Sequence, residues 1–202
     1  MGSEEGEVRV VAGRLGGRRL RTVAGRETRP TSDRVREALF GILGGRVEGA
    51  RVLDLFAGTG ALAIEALSRG AASAVLVEQA APAVDVIRAN LDALGLAGAA
   101  RVRRTRAETY LRTQRDGPFD LVLLDPPYAI PVGLVAGLLG RLARSALAPG
   151  AVVVVESAAR AEATPWPPGL TPQPPRRYGD TALHLATFGE PPGAGTLGTS
   201  PE

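Results

Sequence analysis

The residues Asp125-Pro126-Pro127-Tyr128 directly follow an apolar run at 121–124. The carboxylate of Asp125 and the carbonyl of Pro126 can accept the two hydrogens of a nucleobase amine, which turns the nitrogen lone pair toward an electrophile. Because proline has no N–H and a fixed φ, both acceptors are held rigidly. Tyr128 offers a ring on which a base can stack, worth about 1–3 kcal/mol. The motif predicts catalysis at an exocyclic amine, and the alternative is a rigid polar turn without a catalytic role.

A second acid, Asp54, ends another apolar run and precedes a glycine turn that closes at Gly60. Dinucleotide-binding proteins use such turns to hold a pyrophosphate. The Asp54 carboxylate would repel a pyrophosphate, but it suits a cofactor that carries an ammonium and a sulfonium group. Glu78, which lies 20 residues after Gly58, can accept both ribose hydroxyls, and this position serves NAD as readily as S-adenosylmethionine. The pattern favours S-adenosylmethionine as methyl donor, with S-adenosylhomocysteine as product and no metal.

Alternating strands and helices from residue 51 onward predict a doubly wound, mostly parallel α/β sheet. In such sheets ligands bind outside the carboxyl ends of the strands, beside the point where the strand order reverses. The first and fourth predicted strands flank that point, so Asp54 and Asp125 should face one crevice. The predicted strands are 51–56, 73–78, 100–104, 119–125 and 151–156, and the predicted helices are 61–69, 81–94, 107–115 and 132–147.

The composition excludes several classes of site. Without cysteine the chain has no disulfide, thiolate zinc site, Cys-ligated iron–sulfur cluster or cysteine nucleophile. The single histidine, His184, lies in an alternating apolar stretch, and we interpret it as a strand residue and not as a catalytic base. The apolar runs are too short for a membrane span, and no signal-peptide pattern opens the sequence. We therefore expect a cytoplasmic protein.

Positive charge is concentrated in the first third of the chain. From residue 9 to residue 46 there are 10 arginines and 3 acids, a charge of +7, so the remainder carries −4 of the net +3. Two short strands at 8–12 and 18–23 around a glycine-rich turn predict a hairpin, and Thr31 or Ser32 can cap a following helix. This pattern predicts a nucleic-acid contact, with a merely solvated surface as the alternative. The candidate RNA-binding residues are Arg9, Arg14, Arg18, Arg19, Arg21, Arg29, Arg34 and Arg36.

The remaining segments complete the predicted organisation. Residues 1–7 should form a flexible acidic leader, and the Gly/Pro/Ser/Thr-rich tail at 189–202 should be disordered. Residues 157–175 predict a loop, followed by antiparallel edge pairing between 176–178 and 182–188. The domains are then a basic hairpin-and-helix extension at 8–46 and a methyltransferase domain at 47–188.

With these motifs the chain resembles the bacterial 16S ribosomal RNA guanine-N2 methyltransferase family (RsmD-like) over about residues 8–188. The resemblance implies a seven-stranded Rossmann-like methyltransferase sheet that methylates one guanine N2 in small-subunit ribosomal RNA. It also implies a basic N-terminal hairpin that grips the RNA of an assembling subunit. We further expect a monomer without a membrane partner. The matching stretches are Arg9–Gly13, Gly17–Leu20, Arg29–Phe40, Asp54–Leu62 and Asp125–Tyr128.

The chain departs from this family at two positions in the expected cofactor pocket. Gln79 follows Glu78 where a further acid is common, and Arg106 stands where an Asn or Asp usually precedes the alanine beside the adenine. Contact with the adenine would then come from the backbone of Ala107. The expected cofactor-binding residues are Asp54, Phe56, Ala57, Gly58, Thr59, Gly60, Glu78, Gln79 and Ala107.

Other functions account for fewer of these features. A DNA base amine or a protein glutamine could serve as the acceptor in the same chemistry. An NAD-dependent oxidoreductase would use the glycine turn and Glu78, but it gives Asp54 and Asp125 no role. A non-catalytic RNA-binding assembly factor would use only the arginines.

Overall fold

The computed structural model describes residues 8–23, 32–114, 116–127 and 130–189. The predicted leader at 1–7 and the tail beyond residue 189 therefore lie outside the described residues, as do Arg29 and Tyr128. Among the described helices, none has the length and apolar character needed to cross a membrane.

The described residues form ten strands and five α-helices that alternate along the middle of the chain. The strands are β1 (Val8–Arg9), β2 (Arg19–Leu20), β3 (Arg51–Leu55), β4 (Ser73–Glu78), β5 (Ala100–Arg104), β6 (Phe119–Leu124), β7 (Leu147–Ala158), β8 (Leu170–Pro172), β9 (Arg176–Tyr178) and β10 (Thr181–Phe188). The helices are α1 (Asp33–Leu43), α2 (Ala61–Ser68), α3 (Ala81–Ala93), α4 (Ala107–Thr113) and α5 (Val132–Ser145).

One sheet dominates the fold, with the strand order β5-β4-β3-β6-β7-β10-β8 and with β9 beside β10. Strands β3 to β7 are parallel, whereas β10 is antiparallel to β7. The order reverses between β3 and β6, which are direct neighbours. The predicted doubly wound sheet is confirmed, and the first and fourth predicted strands, β3 and β6, lie side by side at the point where the strand order reverses.

The predicted antiparallel pairing between 176–178 and 182–188 is confirmed by β9 and β10, but the rest of the closing part differs from the expectation. β7 extends to Ala158, and β8 forms within the predicted loop at 157–175. β10 pairs with β7 over seven residues and also with β8 and β9, so β10 is an inner strand. Sequence periodicity did not reveal β8 because it has only three residues and gains its order from pairing with β10. His184 is a strand residue as predicted, with Nε2 at 3.0 Å from the Ser157 hydroxyl.

The sheet separates two apolar layers. One layer holds α1, α2 and α3, and the other holds α4 and α5. Along β3, Val52 faces the first layer while Leu53 and Leu55 face the second, as the two-residue period of a strand requires. The same alternation in β6 places Leu121 and Leu123 on the first face. The pleat therefore directs Asp54, and Asp125 one residue beyond β6, toward the same face.

The N-terminal hairpin at residues 8–23, called the extension from here on, belongs to the first apolar layer. Its strands are shorter than predicted, with β1 and β2 of two residues each and a 3₁₀ turn between them. Val8, Val10 and Leu20 are nevertheless buried against the α1–α3 side. Burial of each such side chain contributes about 1.5–3 kcal/mol, which offsets the marginal stability of so small a hairpin.

Candidate active site

The two strand-end acids lie on neighbouring strands. Leu55 pairs with Leu124 in the β3–β6 register, so Asp54 and Asp125 flank the last paired residues. Burial, with a smaller contribution from the negative charges of Asp125 and Glu78, raises the pKa of Asp54 to about 7, against the lowering effect of a hydrogen bond from the Ala63 N–H. The structure thus brings together the three acids that the sequence singled out. Their combined charge favours a cation between them and disfavours a pyrophosphate.

The Asp54 carboxylate has one satisfied and one unsatisfied oxygen. Its Oδ2 accepts a hydrogen bond from the Ala63 N–H in the first turn of α2, at 3.2 Å. Within the described part of the chain, its Oδ1 is buried and accepts no hydrogen bond. A buried acceptor without a donor costs about 1–3 kcal/mol, which a cationic ligand such as an ammonium group would recover. The residues present therefore fit the aminoacyl end of S-adenosylmethionine.

The glycine turn depends on left-handed backbone at three positions. Phe56, Gly58 and Gly60 have φ values of 71°, 56° and 81°. A Cβ at Gly60 would lie 3.1 Å from Leu76 Cδ2, so the position must be glycine for both conformation and space. At Gly58 the nearest atom to a Cβ would be the Phe56 oxygen at 4.0 Å. The backbone at Gly58 is therefore open to the close approach of a ligand.

Glu78 holds the glycine turn to the loop after β4. Its Oε2 accepts the Gly58 N–H at 3.0 Å, and its Oε1 accepts the Ala80 N–H at 2.8 Å. Each oxygen retains a second lone pair for a ribose hydroxyl. The sequence predicted that Glu78 binds the ribose hydroxyls, but it did not predict that Glu78 also holds the glycine turn in place. Gln79 is exposed, and Ala107 is buried at the start of α4 beside an exposed Arg106 whose guanidinium lies 3.4 Å from Glu108.

The remaining motif residues lie just beyond β6. Asp125 is half-buried, Pro126 is buried and Pro127 is exposed. The Pro127 carbonyl accepts the Ile130 N–H at 2.9 Å, which closes the segment before α5. The stacking role predicted for Tyr128 falls outside the described residues.

Two polar residues of α2 that the sequence analysis did not single out dock the extension. The Glu65 carboxylate is fully buried and accepts the N–H groups of Val11 and Ala12 at 2.6 and 3.0 Å. The Ser68 hydroxyl donates to the Ala12 carbonyl at 2.6 Å and accepts the Leu15 N–H at 3.0 Å. A signal was present in the sequence, because Glu65 is the one charged residue of α2, whose other residues are apolar except for Ser68.

Gly13 and Gly17 provide a matched test of this docking. Their φ values are 80° and 81°, but a Cβ at Gly13 would lie 2.1 Å from the Ser68 carbonyl oxygen, whereas a Cβ at Gly17 would meet nothing within 4 Å. Gly17→Ala should cost about 1–2 kcal/mol of unfolding free energy for the left-handed backbone alone. Gly13→Ala should cost clearly more in urea unfolding, because the extension must move off α2. Equal losses in the two variants would contradict the docking described here.

Among the described residues, the predicted RNA-binding arginines are all exposed except Arg36. Arg14, Arg18, Arg19, Arg21 and Arg34 are exposed. Arg9 is also exposed, although its Nε lies 2.9 Å from the Asp33 carboxylate.

The prediction that Arg36 contacts RNA is wrong. Its side chain is 1% exposed, and its Nη2 donates to the Arg9 carbonyl and the Asp33 carboxylate at 2.5 and 2.6 Å. The helical period of α1 turns Arg36 toward the extension, with Val35 and Leu39 on the buried side. Its role is to hold the extension and α1 together.

A doubly wound sheet with a glycine turn between β3 and α2, and acids at the ends of three neighbouring strands, defines an S-adenosylmethionine-dependent methyltransferase. More specifically, the chain belongs to the family described as "Conserved hypothetical protein 95", whose model matches residues 8–187.

Curated relatives and a solved structure agree with this assignment. Ribosomal RNA small subunit methyltransferase D of Escherichia coli K12 is 42% identical over 126 residues, covering 62% of this chain and 63% of that protein. YlbH of Bacillus subtilis is 44% identical over 123 residues, covering 60% of this chain and 67% of that protein. The chain thus spans about two thirds of the length of these relatives. The structure of yhhF from Escherichia coli superposes with a TM-score of 0.78 at 35% identity, covering 91% of this chain and 99% of the other.

Proposed function

We propose that this protein transfers a methyl group from S-adenosylmethionine to the exocyclic N2 amine of a guanine in 16S ribosomal RNA. The observation that carries the proposal is the pair Asp54 and Asp125 on adjacent strands, close enough for the charge of one to raise the pKa of the other. The family membership and the curated relative that is a small-subunit ribosomal RNA methyltransferase support the choice of substrate.

The proposed roles of the residues follow from their positions. Asp54 and Glu78 bind the amino and ribose groups of the cofactor, and the open backbone at Gly58 lies against it. When bound, S-adenosylmethionine supplies an electrophilic methyl group. Asp125 and the Pro126 carbonyl accept hydrogen bonds from the guanine amine, so its lone pair points toward the methyl group of the donor. Asp125 then stabilises the positive charge that develops on the nitrogen.

The extension supplies the proposed RNA contact. Its exposed arginines surround a backbone that is fixed to α2, so their charges are presented from a defined surface of the domain. Arginine is suited to bidentate phosphate contacts and base stacking. We propose ribosomal RNA within an assembling small subunit as the partner, which places the activity in the cytoplasm, and the monomeric state stays a prediction.

The direct test is transfer of a labelled methyl group by the purified chain. Small-subunit particles and 16S RNA from a strain that lacks the enzyme should be labelled, and mass spectrometry should locate the label as N2-methylguanine at one site. Duplex DNA of matched length is the control and should remain unlabelled. Labelling of DNA but not RNA, or of adenine in place of guanine, would overturn the proposal.

The RNA contact is tested by replacing Arg18 and Arg19 with alanine. Each lost phosphate contact lowers the slope of log Kobs against log [salt] by about 0.7–0.9, so the double variant should lose up to about 2 from the slope. Its affinity for S-adenosylhomocysteine should not change. The control is Arg141→Ala with Arg144→Ala, which removes two exposed charges from α5 on the opposite layer. An equal change of slope in the two double variants would refute a specific role for the extension.

A further inference from the structure

The side chain of Asn90 lies between the extension and the glycine turn. Asn90 is in α3 and is 2% exposed. Its Oδ1 accepts the Arg21 N–H at 2.8 Å, and its Nδ2 donates to the Arg21 carbonyl at 3.1 Å. The same Nδ2 donates to the Thr59 carbonyl, also at 3.1 Å. One buried amide thus joins the backbone of the basic extension to the backbone of the proposed cofactor turn.

The bonding pattern requires an asparagine. A carboxamide offers one acceptor and two donors on a short stem, which matches one N–H and two carbonyl partners. An aspartate would keep the acceptor for Arg21 but would place a carboxylate oxygen against the carbonyls of Arg21 and Thr59. An alanine would leave all three backbone groups without this partner.

The turn that Asn90 holds combines flexible glycines with one strained residue, Phe56, whose φ is 71°. Thr59 lies between Gly58 and Gly60, both in the left-handed region. Glu78 fixes the turn from one side through the Gly58 N–H, and Asn90 fixes it from the other through the Thr59 carbonyl. Glycine adopts left-handed angles without strain but is equally free to leave them, and a non-glycine residue such as Phe56 keeps them only where surrounding contacts hold it. The loss of one brace should therefore loosen the turn.

We propose that Asn90 is a positioning residue that couples the docked extension to the cofactor turn. It does not touch the reacting atoms, and it acts through Thr59. RNA that holds the extension in its docked position would then tighten cofactor binding, and bound cofactor would tighten RNA binding by the same factor. The RNA half of this inference rests on the proposed function, whereas the effect on the cofactor does not.

The first experiment compares Asn90→Ala with Ser68→Ala. Both variants remove side-chain hydrogen bonds that dock the extension, but only Asn90 also contacts the turn. Titration calorimetry with S-adenosylhomocysteine should show about a tenfold rise in Kd for Asn90→Ala, and a change of less than about twofold for Ser68→Ala. Urea unfolding of both variants gives the loss of stability, so an effect of reduced folding can be separated from an effect on the turn.

Asn90→Asp is the second variant, because it preserves shape and the acceptor for Arg21. It should bind S-adenosylhomocysteine as weakly as Asn90→Ala or more weakly. An unchanged Kd in both Asn90 variants would overturn the proposal. An equal rise of Kd in Ser68→Ala would also overturn it, because the effect would then come from general loosening of the extension.

The second experiment measures the coupling itself. The Kd for S-adenosylhomocysteine is determined with and without a saturating concentration of 16S RNA, for the wild type and for Asn90→Ala. The wild type should bind more tightly in the presence of RNA, and the ratio of the two Kd values should fall toward one in the variant. A ratio that Asn90→Ala leaves intact would refute the coupling. If the wild type labels no RNA while the Asn90 variants still bind cofactor weakly, only the proposed function fails.

Discussion

Asp125→Ala should lower kcat for methyl transfer by about 1000-fold, the size of loss seen when a preorganised polar contact to a developing charge is removed. The Kd for S-adenosylhomocysteine should remain within about threefold of the wild-type value. The reason is that Asp125 acts on the amine and lies outside the cofactor turn. Its negative charge also raises the pKa of Asp54, so its removal favours the ionised Asp54 that holds the cofactor. Single-turnover kinetics and calorimetry measure the two quantities separately.

Two further aspartate substitutions, one within β6 and one directly after it, test the same role. Asp125→Asn keeps the shape and one acceptor oxygen but lacks the charge, so its kcat should fall between the wild type and Asp125→Ala. Asp120→Asn is the control, because this exposed residue accepts the Arg51 N–H at 2.8 Å near the opposite end of β6. A normal kcat in Asp125→Ala, or a loss as large in Asp120→Asn, would remove Asp125 from the reaction.

Asp54→Asn should weaken cofactor binding by about 100-fold, because a charge-assisted hydrogen bond contributes about 1.5–3 kcal/mol. Without ligand, the variant should also gain stability relative to the wild type as the pH rises. The unfolded carboxyl titrates near 3.8 and the folded one near 7. Between these values the folded state holds a proton that the unfolded state has lost, so the wild-type protein loses stability as the pH increases.

The measurement is urea unfolding of both proteins at pH 5 and at pH 8. As the pH rises from 5 to 7, the unfolding free energy of Asp54→Asn should increase relative to that of the wild type by up to about 1.4 kcal/mol per pH unit. Wild-type affinity for the cofactor should decline below about pH 7, where Asp54 becomes protonated. The variant should lack this dependence. Parallel pH profiles in the two proteins would show that Asp54 is not the titrating group.

The sheet and the main motifs could be predicted because local patterns determine them. Nearly continuous apolar runs mark strands buried on both faces, and such runs gave β3 and β6 within one residue. The alternation of strands with helices gave β4 and β5 with their observed bounds. The glycine turn was recognisable since Gly58 and Gly60 adopt backbone angles that other residues rarely adopt. Asp54 was recognisable because it ends an apolar run, and Asp125 because it directly follows one.

Residues whose roles depend on distant partners could not be predicted from the sequence in the same way. In the sequence Arg36 does not differ from the other arginines of the basic segment, yet it is buried between the extension and α1. Glu65 and Asn90 bind backbone groups 54 and 69 residues away, and no local pattern specifies such pairs. β8 is too short to show periodicity and exists through its pairing with β10.

The sequence by itself determined the parallel strands β3 to β6, the glycine turn and the acids at the carboxyl ends of β3, β4 and β6, because spacing along the chain is enough to define them. Only the tertiary structure decided which arginines face solvent, how the extension is held and that Asn90 reaches the Thr59 carbonyl. The physical reason is that buried polar groups must find hydrogen-bond partners wherever the fold brings them, and those partners lie far away in sequence.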